Sequence, residues 1–222
     1  MTMSHPPPRR ARSPKAKSER RRQILEAARR LAEEGANPET ISMAEVARLA
    51  GVAKGTPYLY FRTKEELFVG LLELCLDDWF DELDAGLAGG TGWMPAAGLA
   101  DLMANSLSRR SLLRRLLAQL GPVLEHNLDA DRALRFKWRV AGRLATTGSL
   151  LERRTVFLRP GDGPKLLLHL QALAMGIQGM AEPATAVGGV LNAPGLEVFR
   201  LDFARDFHAA ARALLTGLER TN

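Results

Sequence analysis

Apolar positions recur along this chain at spacings of three and four, the period of a helix with one buried face. Ile24, Leu25, Ala28, Leu31 and Ala32 form such a stripe, which predicts a helix from about Ser18 to Glu34 with a stop at Gly35. A short second helix begins at Ser42. There Ser42 and Glu45 make an S-x-x-E capping box, and Ile41 and Val46 stand at the staple positions. Val46, Ala47 and Ala50 give it a small apolar face, and Gly51 ends it where a positive φ costs little. A long helix follows from about Thr63 to Ala88. Thr63 and Glu66 repeat the capping box, and Leu67, Phe68, Leu71, Leu72, Cys75, Trp79, Leu83 and Leu87 carry the stripe. The segment Gly89–Pro95 breaks it. More helices are predicted over roughly 96–107, 111–127, 131–153, 164–181 and 197–218, with Glu182–Gly195 as a long connection. No run alternates with period two, so the expected fold is all-α.

Residues 42–61 stand out as a unit. A capped helix, a tight turn at Gly51–Val52 and a second short segment succeed one another. Small residues (Ala44, Ala47, Ala50, Ala53) lie where two helices would cross closely. This is a helix-turn-helix pattern, whose second segment would enter the major groove of DNA. It predicts a three-helix DNA-binding domain over 18–64 and a larger helical domain over 65–222.

Charge supports that division. Residues 1–64 hold 14 Lys/Arg against 6 Asp/Glu, and the remainder holds 17 against 19. The basic excess lies wholly in the first domain, which calls for an anionic partner. Residues 1–17, with four prolines and five basic residues, read as a disordered basic arm. That arm is either a solvated tail or a phosphate or minor-groove contact.

Other function classes find less support. Cys75 is the single cysteine and sits among leucines, as a small buried apolar residue does. With no disulfide possible, a reducing cytosol fits, and the expected location is cytoplasmic. No signal peptide and no membrane span are expected: the basic start lacks a following apolar run, and no apolar stretch is long enough. Gly89-Gly90-Thr91-Gly92 and Gly161-Asp162-Gly163 match no phosphate loop. His5, His126, His169 and His208 show no metal-ligand spacing. Neither an enzyme, a metal site nor a cofactor is therefore expected. The arginine clusters at 20–22 and 29–30 could mark a membrane-surface helix, but its apolar face is mostly alanine. A purely architectural DNA binder would not need the long C-terminal region.

The run GVAKGTPYLYFRTKEELF, Gly51 to Phe68, is similar to the hallmark of the tetracycline-repressor (TetR) family, in which G-V-x-x-G-T-x-Y-x-Y-F leads into K-x-x-L-F. The likeness covers about residues 19–79; beyond them only the all-helical layout fits. The resemblance implies that Lys54, Gly55, Thr56, Tyr58 and Tyr60 face DNA, and that Tyr58 and Lys64 meet phosphates. With Ser42 they form the expected DNA-binding set. Phe61, Leu49, Val46 and Leu25 would belong to the domain core. Position 57 departs from the pattern, where a large apolar residue is usual. Either Thr56 is the N-cap and Pro57 the first residue of a short, late helix, or the helix starts near Lys54 with an irregular first turn.

The resemblance also implies a repressor that binds a palindromic operator as a dimer and answers to a small-molecule effector. Candidate effector-lining residues are Leu76, Trp79, Phe80, Met103, Leu120, Trp138 and Met175. The arginines Arg132, Arg135, Arg139 and Arg143 share a helix face, either salt-bridged or open to an anionic ligand. Segments 164–181 and 197–218 are apolar over more of their circumference than a surface helix, which predicts a homodimer through a four-helix bundle.

Overall fold

The computed structural model describes residues 13–34, 38, 40–121, 128–183 and 185–221. Among the described residues the only regular elements are helices and short 3-10 turns. The chain divides into two compact units. The first reaches Leu72; the second begins at Glu73 and takes the rest, except Leu128, which groups with the first.

In the first unit, helix α1 spans Pro14–Glu33. The Oγ of Ser13 accepts a hydrogen bond from the Ala16 amide at 3.2 Å, and Pro14 fills the first position, where a missing N–H is harmless. The helix therefore begins four residues before the predicted start, and Pro14–Lys17 belong to it rather than to a basic arm. The rest of the arm, residues 1–12, and the expected stop at Gly35 lie outside the described residues. Helix α2 spans Met43–Leu49, a 3-10 turn covers Pro57–Leu59, and helix α3 runs Lys64–Ala88, contributing its first turns here.

Ile24, Leu25, Ala28, Ile41, Val46, Ala47, Phe61 and Leu67 make the core of this unit. The Arg21 guanidinium covers the Phe61 ring at 4.9 Å. A Cβ on Gly70 would lie 3.0 Å from that ring and 3.1–3.2 Å from the side chains of Arg21 and Leu25, a tight contact that those side chains would have to yield to admit. Leu49, expected in the core, is exposed. The inward face of α2 is set by Met43, Val46 and Ala47, and Leu49 falls outside that helical series.

The second unit holds the remainder of α3, then α4 (Ala96–Ser108), α5 (Ser111–Ala118), α6 (Ala130–Arg154), α7 (Asp162–Ala181), α8 (Thr185–Val190) and α9 (Phe203–Thr221). Helix α9 packs on α4 and α7, and α7 also packs on α5 and α6. The predicted helix 111–127 stops at Ala118, capped by Gln119; residues 122–127 of it lie outside the described residues. The predicted helix 197–218 is a 3-10 turn at Glu197–Phe199 followed by α9. Asp202 explains the late start: its carboxylate accepts from the Arg205 amide at 2.8 Å while its own amide donates to Asp206 at 2.7 Å. The expected connection 182–195 contains the short α8.

Candidate nucleic-acid interface

The helix-turn-helix is built from local hydrogen bonds that its sequence specifies. At the start of α2 the Ser42 Oγ accepts from the Glu45 amide at 3.2 Å, and the Glu45 carboxylate accepts from the Ser42 amide at 2.9 Å and hydroxyl at 2.6 Å. Two amides with no helical partner are thus satisfied reciprocally. These Ser42 bonds hold the Glu45 carboxyl below its ordinary pKa. At the far end the Val52 amide bonds to Ala47 O at 3.0 Å and the Gly51 amide to Arg48 O at 3.2 Å. That is the Schellman pattern, and it requires the positive φ (65°) that Gly51 adopts.

The second segment is shorter than a recognition helix usually is. The Thr56 amide bonds to Ala53 O, and the amides of Tyr60 and Phe61 both bond to Pro57 O, at 3.0 and 2.9 Å. Only Pro57–Leu59 is regular, as a single 3-10 turn with Thr56 at the N-cap position and Pro57 first. Of the two arrangements open at Pro57, the late start is the one seen. The Thr56 hydroxyl makes no capping bond. Pro57 and Phe61 are buried and anchor the turn from below.

This arrangement gathers most of the expected DNA-binding residues on one segment. Lys54 and Gly55 are exposed, Thr56 and Tyr60 are half-buried, and Tyr58 is 54 % exposed. A Cβ on Gly55 would meet nothing within 4 Å, and its φ is not positive, so nothing inside the unit requires glycine there. Ser42 is exposed but its hydroxyl is engaged in the capping box. Lys64, half-buried at the head of α3, holds its ammonium 5.3 Å from the Phe68 ring. The Thr63 hydroxyl accepts from the Glu66 amide as expected, but Glu66 reaches back to the Arg62 amide rather than to Thr63. One exposed residue of the segment escaped the sequence reading: Leu59, 72 % exposed beside Tyr58.

The effector candidates behave unevenly. Leu76, Trp79, Phe80 and Met103 are buried, and Leu120 and Met175 are half-buried. Trp79 Nε1 donates to Ser106 Oγ at 3.0 Å, which in turn donates to Met103 O, tying α3 to α4. Trp138 departs from expectation at 71 % exposed. Helix α6 turns Phe136, Leu144, Thr147 and Leu151 inward, and Trp138 lies on the opposite face. A cleft of about 260 Å³ between α1 and the end of α2, lined by Arg22, Gln23, Glu26, Arg30 and Leu49, includes none of the seven.

The arginine face of α6 is salt-bridged. Arg132 pairs with Glu73 at 2.8 Å, Arg139 with Asp77, and Arg143 with Asp81 and Asp84 at 2.7 and 3.2 Å; Arg135 stays exposed. Arg114 on α5 is a buried cation that sequence reasoning missed. Its Nε donates to Gln178 at 2.8 Å and its Nη1 to Leu107 O and Ser108 O, the last carbonyls of α4, while its plane lies 4.2 Å over Phe203. Burial pushes its pKa down. Nothing in the run RRSLLRR, Arg109 to Arg115, says which arginine faces inward.

The family described as bacterial regulatory proteins, tetR family, matches residues 24–71, and the tetracyclin repressor-like C-terminal domain matches residues 75–222. The chain belongs to the TetR family. TetR-family proteins are transcriptional regulators, and that is the function class of this chain. Solved structures agree on the fold. The fatty acid degradation regulator FadR from Bacillus halodurans superposes with a TM-score of 0.53 at 18 % identity, covering 86 % of this chain and 97 % of its own. E. coli NemR in its reduced form gives 0.53 at 20 %, covering 90 % and 96 %. FadR from Bacillus subtilis in complex with stearoyl-CoA gives 0.51 at 18 %, covering 87 % and 96 %. Among curated proteins none matches this sequence. Among the described residues no helix is long and apolar enough to cross a membrane, and no group of His, Cys, Asp and Glu could hold a metal ion.

Proposed function

We propose that this TetR-family regulator is a ligand-responsive repressor that binds a palindromic operator as a homodimer in the cytoplasm, where the DNA is. The observation that carries the reading is the exposed turn Lys54–Tyr60, raised on the buried Pro57 and Phe61 at the end of a capped helix-turn-helix. Its side chains supply a cation, hydroxyls and phenols in a domain with a clear basic excess, which suits base edges and phosphates together. Thr56 and Tyr60 reach base edges; Lys64 and Tyr58 meet phosphates; Gly55 lets the backbone approach; Ser42 orients α2 through its cap.

The effector would enter the second unit near Leu76, Trp79, Phe80 and Met103. That a fold-mate was solved in complex with stearoyl-CoA supports a small-molecule effector for this chain as well. Helix α3 starts in the first unit and ends in the second, so it is the element through which a ligand would act. A ligand with different affinities for two arrangements of the dimer shifts the population between them. Helix-turn-helix dimers read half-sites spaced by about 34–36 Å.

Titration against a selected operator and against random DNA tests the assignment. Lys64→Ala is expected to weaken binding to both alike and to flatten the salt slope by about one unit. Thr56→Ala is expected to change preference among sequences. Identical behaviour of the two variants would refute this division of roles.

A further inference from the structure

Leu59 is the most exposed large apolar side chain described in the first unit. A single exposed leucine is ordinary on a protein surface. Its surroundings here are not. The 3-10 turn has three residues per turn, so one of three consecutive side chains points inward and two neighbours point out. Pro57 is the inward one, and Tyr58 and Leu59 are presented side by side. The turn is held at both ends, by the Thr56 amide on Ala53 O and the Phe61 amide on Pro57 O, so Leu59 is not on a loose loop. Every other exposed side chain from Lys54 to Tyr58 can donate or accept a hydrogen bond. Leu59 can do neither.

An apolar side chain in the major groove has one base feature that matches it: the C5-methyl group of thymine. We propose, resting on the DNA-binding reading above, that Leu59 is a specificity-determining residue that reads a thymine methyl in each half-site. It complements the polar residues of the same turn, which read donors and acceptors. A seven-residue α2 followed by one turn leaves few positions that can reach base edges, so an apolar contact contributes a large share of the discrimination.

The test uses the full-length chain and a site selected by it from random duplex DNA. Each thymine of that site is replaced in turn by deoxyuracil, which removes only the methyl group. Affinities are measured at fixed salt for the unaltered protein, Leu59→Ala and Leu59→Met. One symmetric thymine per half-site is expected to weaken the unaltered protein by about three- to tenfold when replaced, on the scale of a lost methyl contact. Leu59→Ala is expected to bind the thymine and uracil versions of that position equally, and Leu59→Met to keep the difference. The proposal is overturned if no thymine is methyl-sensitive, if Leu59→Ala keeps the full sensitivity, or if it weakens selected and random DNA equally, which marks packing on sugar and phosphate. Failure to select any site overturns the DNA-binding reading itself, and this proposal with it.

Discussion

At Gly163, a Cβ would lie 2.2 Å from the carbonyl oxygen of Gly148, and a Cβ on Gly148 would lie 2.5 Å from the Pro164 ring. The obstacle at Gly163 is backbone, which cannot swing aside as a flexible side chain can. Gly163→Ala is expected to lower stability by about 3 kcal/mol, through overpacking where α6 meets α7, read as the shift in a urea midpoint. Glu45 offers a second test at this scale. The Ser42 hydroxyl and amide hold its carboxyl below the ordinary value of 4.5. A carboxyl whose pKa falls on folding stabilises the fold above its unfolded value and loses that contribution as the pH drops through the folded one. Glutamine keeps the cap but does not titrate. The unaltered protein should therefore lose stability relative to Glu45→Gln as the pH falls below about 4.5, measured as urea midpoints across that range. Both glycines and the Ser42–Glu45 pair stand in the sequence, but only the pair announces its role. A capping box is a local spacing. The Gly148–Gly163 contact joins residues on different helices, and nothing near either one signals it.

Among the elements, α2 is the most legible, because both of its ends are decided within four residues. Helices α1 and α9 show the reverse. Ser13 with Pro14, and Asp202 with Asp206, set their starts away from where the apolar stripe alone would place them. The pairing of α3 with α6 lies further from the sequence. Arginines spaced along α6 meet acids spaced along α3 in the same order, so the two helices run side by side in parallel there. Arg132 and Glu73 are the most buried pair, each side chain close to nine-tenths covered. Removing one member of a buried pair leaves the other charge without its counterion, whereas removing both does not. Arg132→Met alone is expected to cost about 3 kcal/mol, and Glu73→Leu with Arg132→Met to recover most of it. Chemical denaturation of the two single variants and the double variant gives the coupling. A loss in the double variant equal to the sum of the singles would show that the pair is not coupled.

For the molecule as a whole, the outer faces of α7 and α9 matter most. Leu168 is 47 % and Leu214 37 % exposed. Ala172, Gly176 and Gly179 continue the exposed face of α7, and Ala213 and Gly217 that of α9. A Cβ on Gly176, Gly179 or Gly217 would meet nothing within 4 Å in the single chain. Small residues with open space above them suit the close approach of a second copy. Sedimentation at micromolar concentration is expected to show a dimer, and Leu168→Glu with Leu214→Glu a monomer with unchanged helicity. A dimer that survives both charges would place the interface on another face.

The sequence by itself determined whatever is decided over three or four residues: helical period, the capped α2, the Gly51 turn, the late start at Pro57 as one of two options, and the basic character of the first domain. These depend on backbone hydrogen bonds and side-chain spacing within a single turn, which neighbouring residues specify. Only the tertiary structure decided which of two adjacent arginines is buried, that Trp138 and Leu49 face outward, that α6 carries its arginines against the acids of α3, and that Leu59 is left exposed beside Tyr58. Each depends on the rotation of a helix about its axis relative to a partner far away in the chain. One position of rotational shift turns a side chain by about 100°, from core to solvent, and the apolar pattern of a helix with more than one apolar face fits several rotations almost equally well.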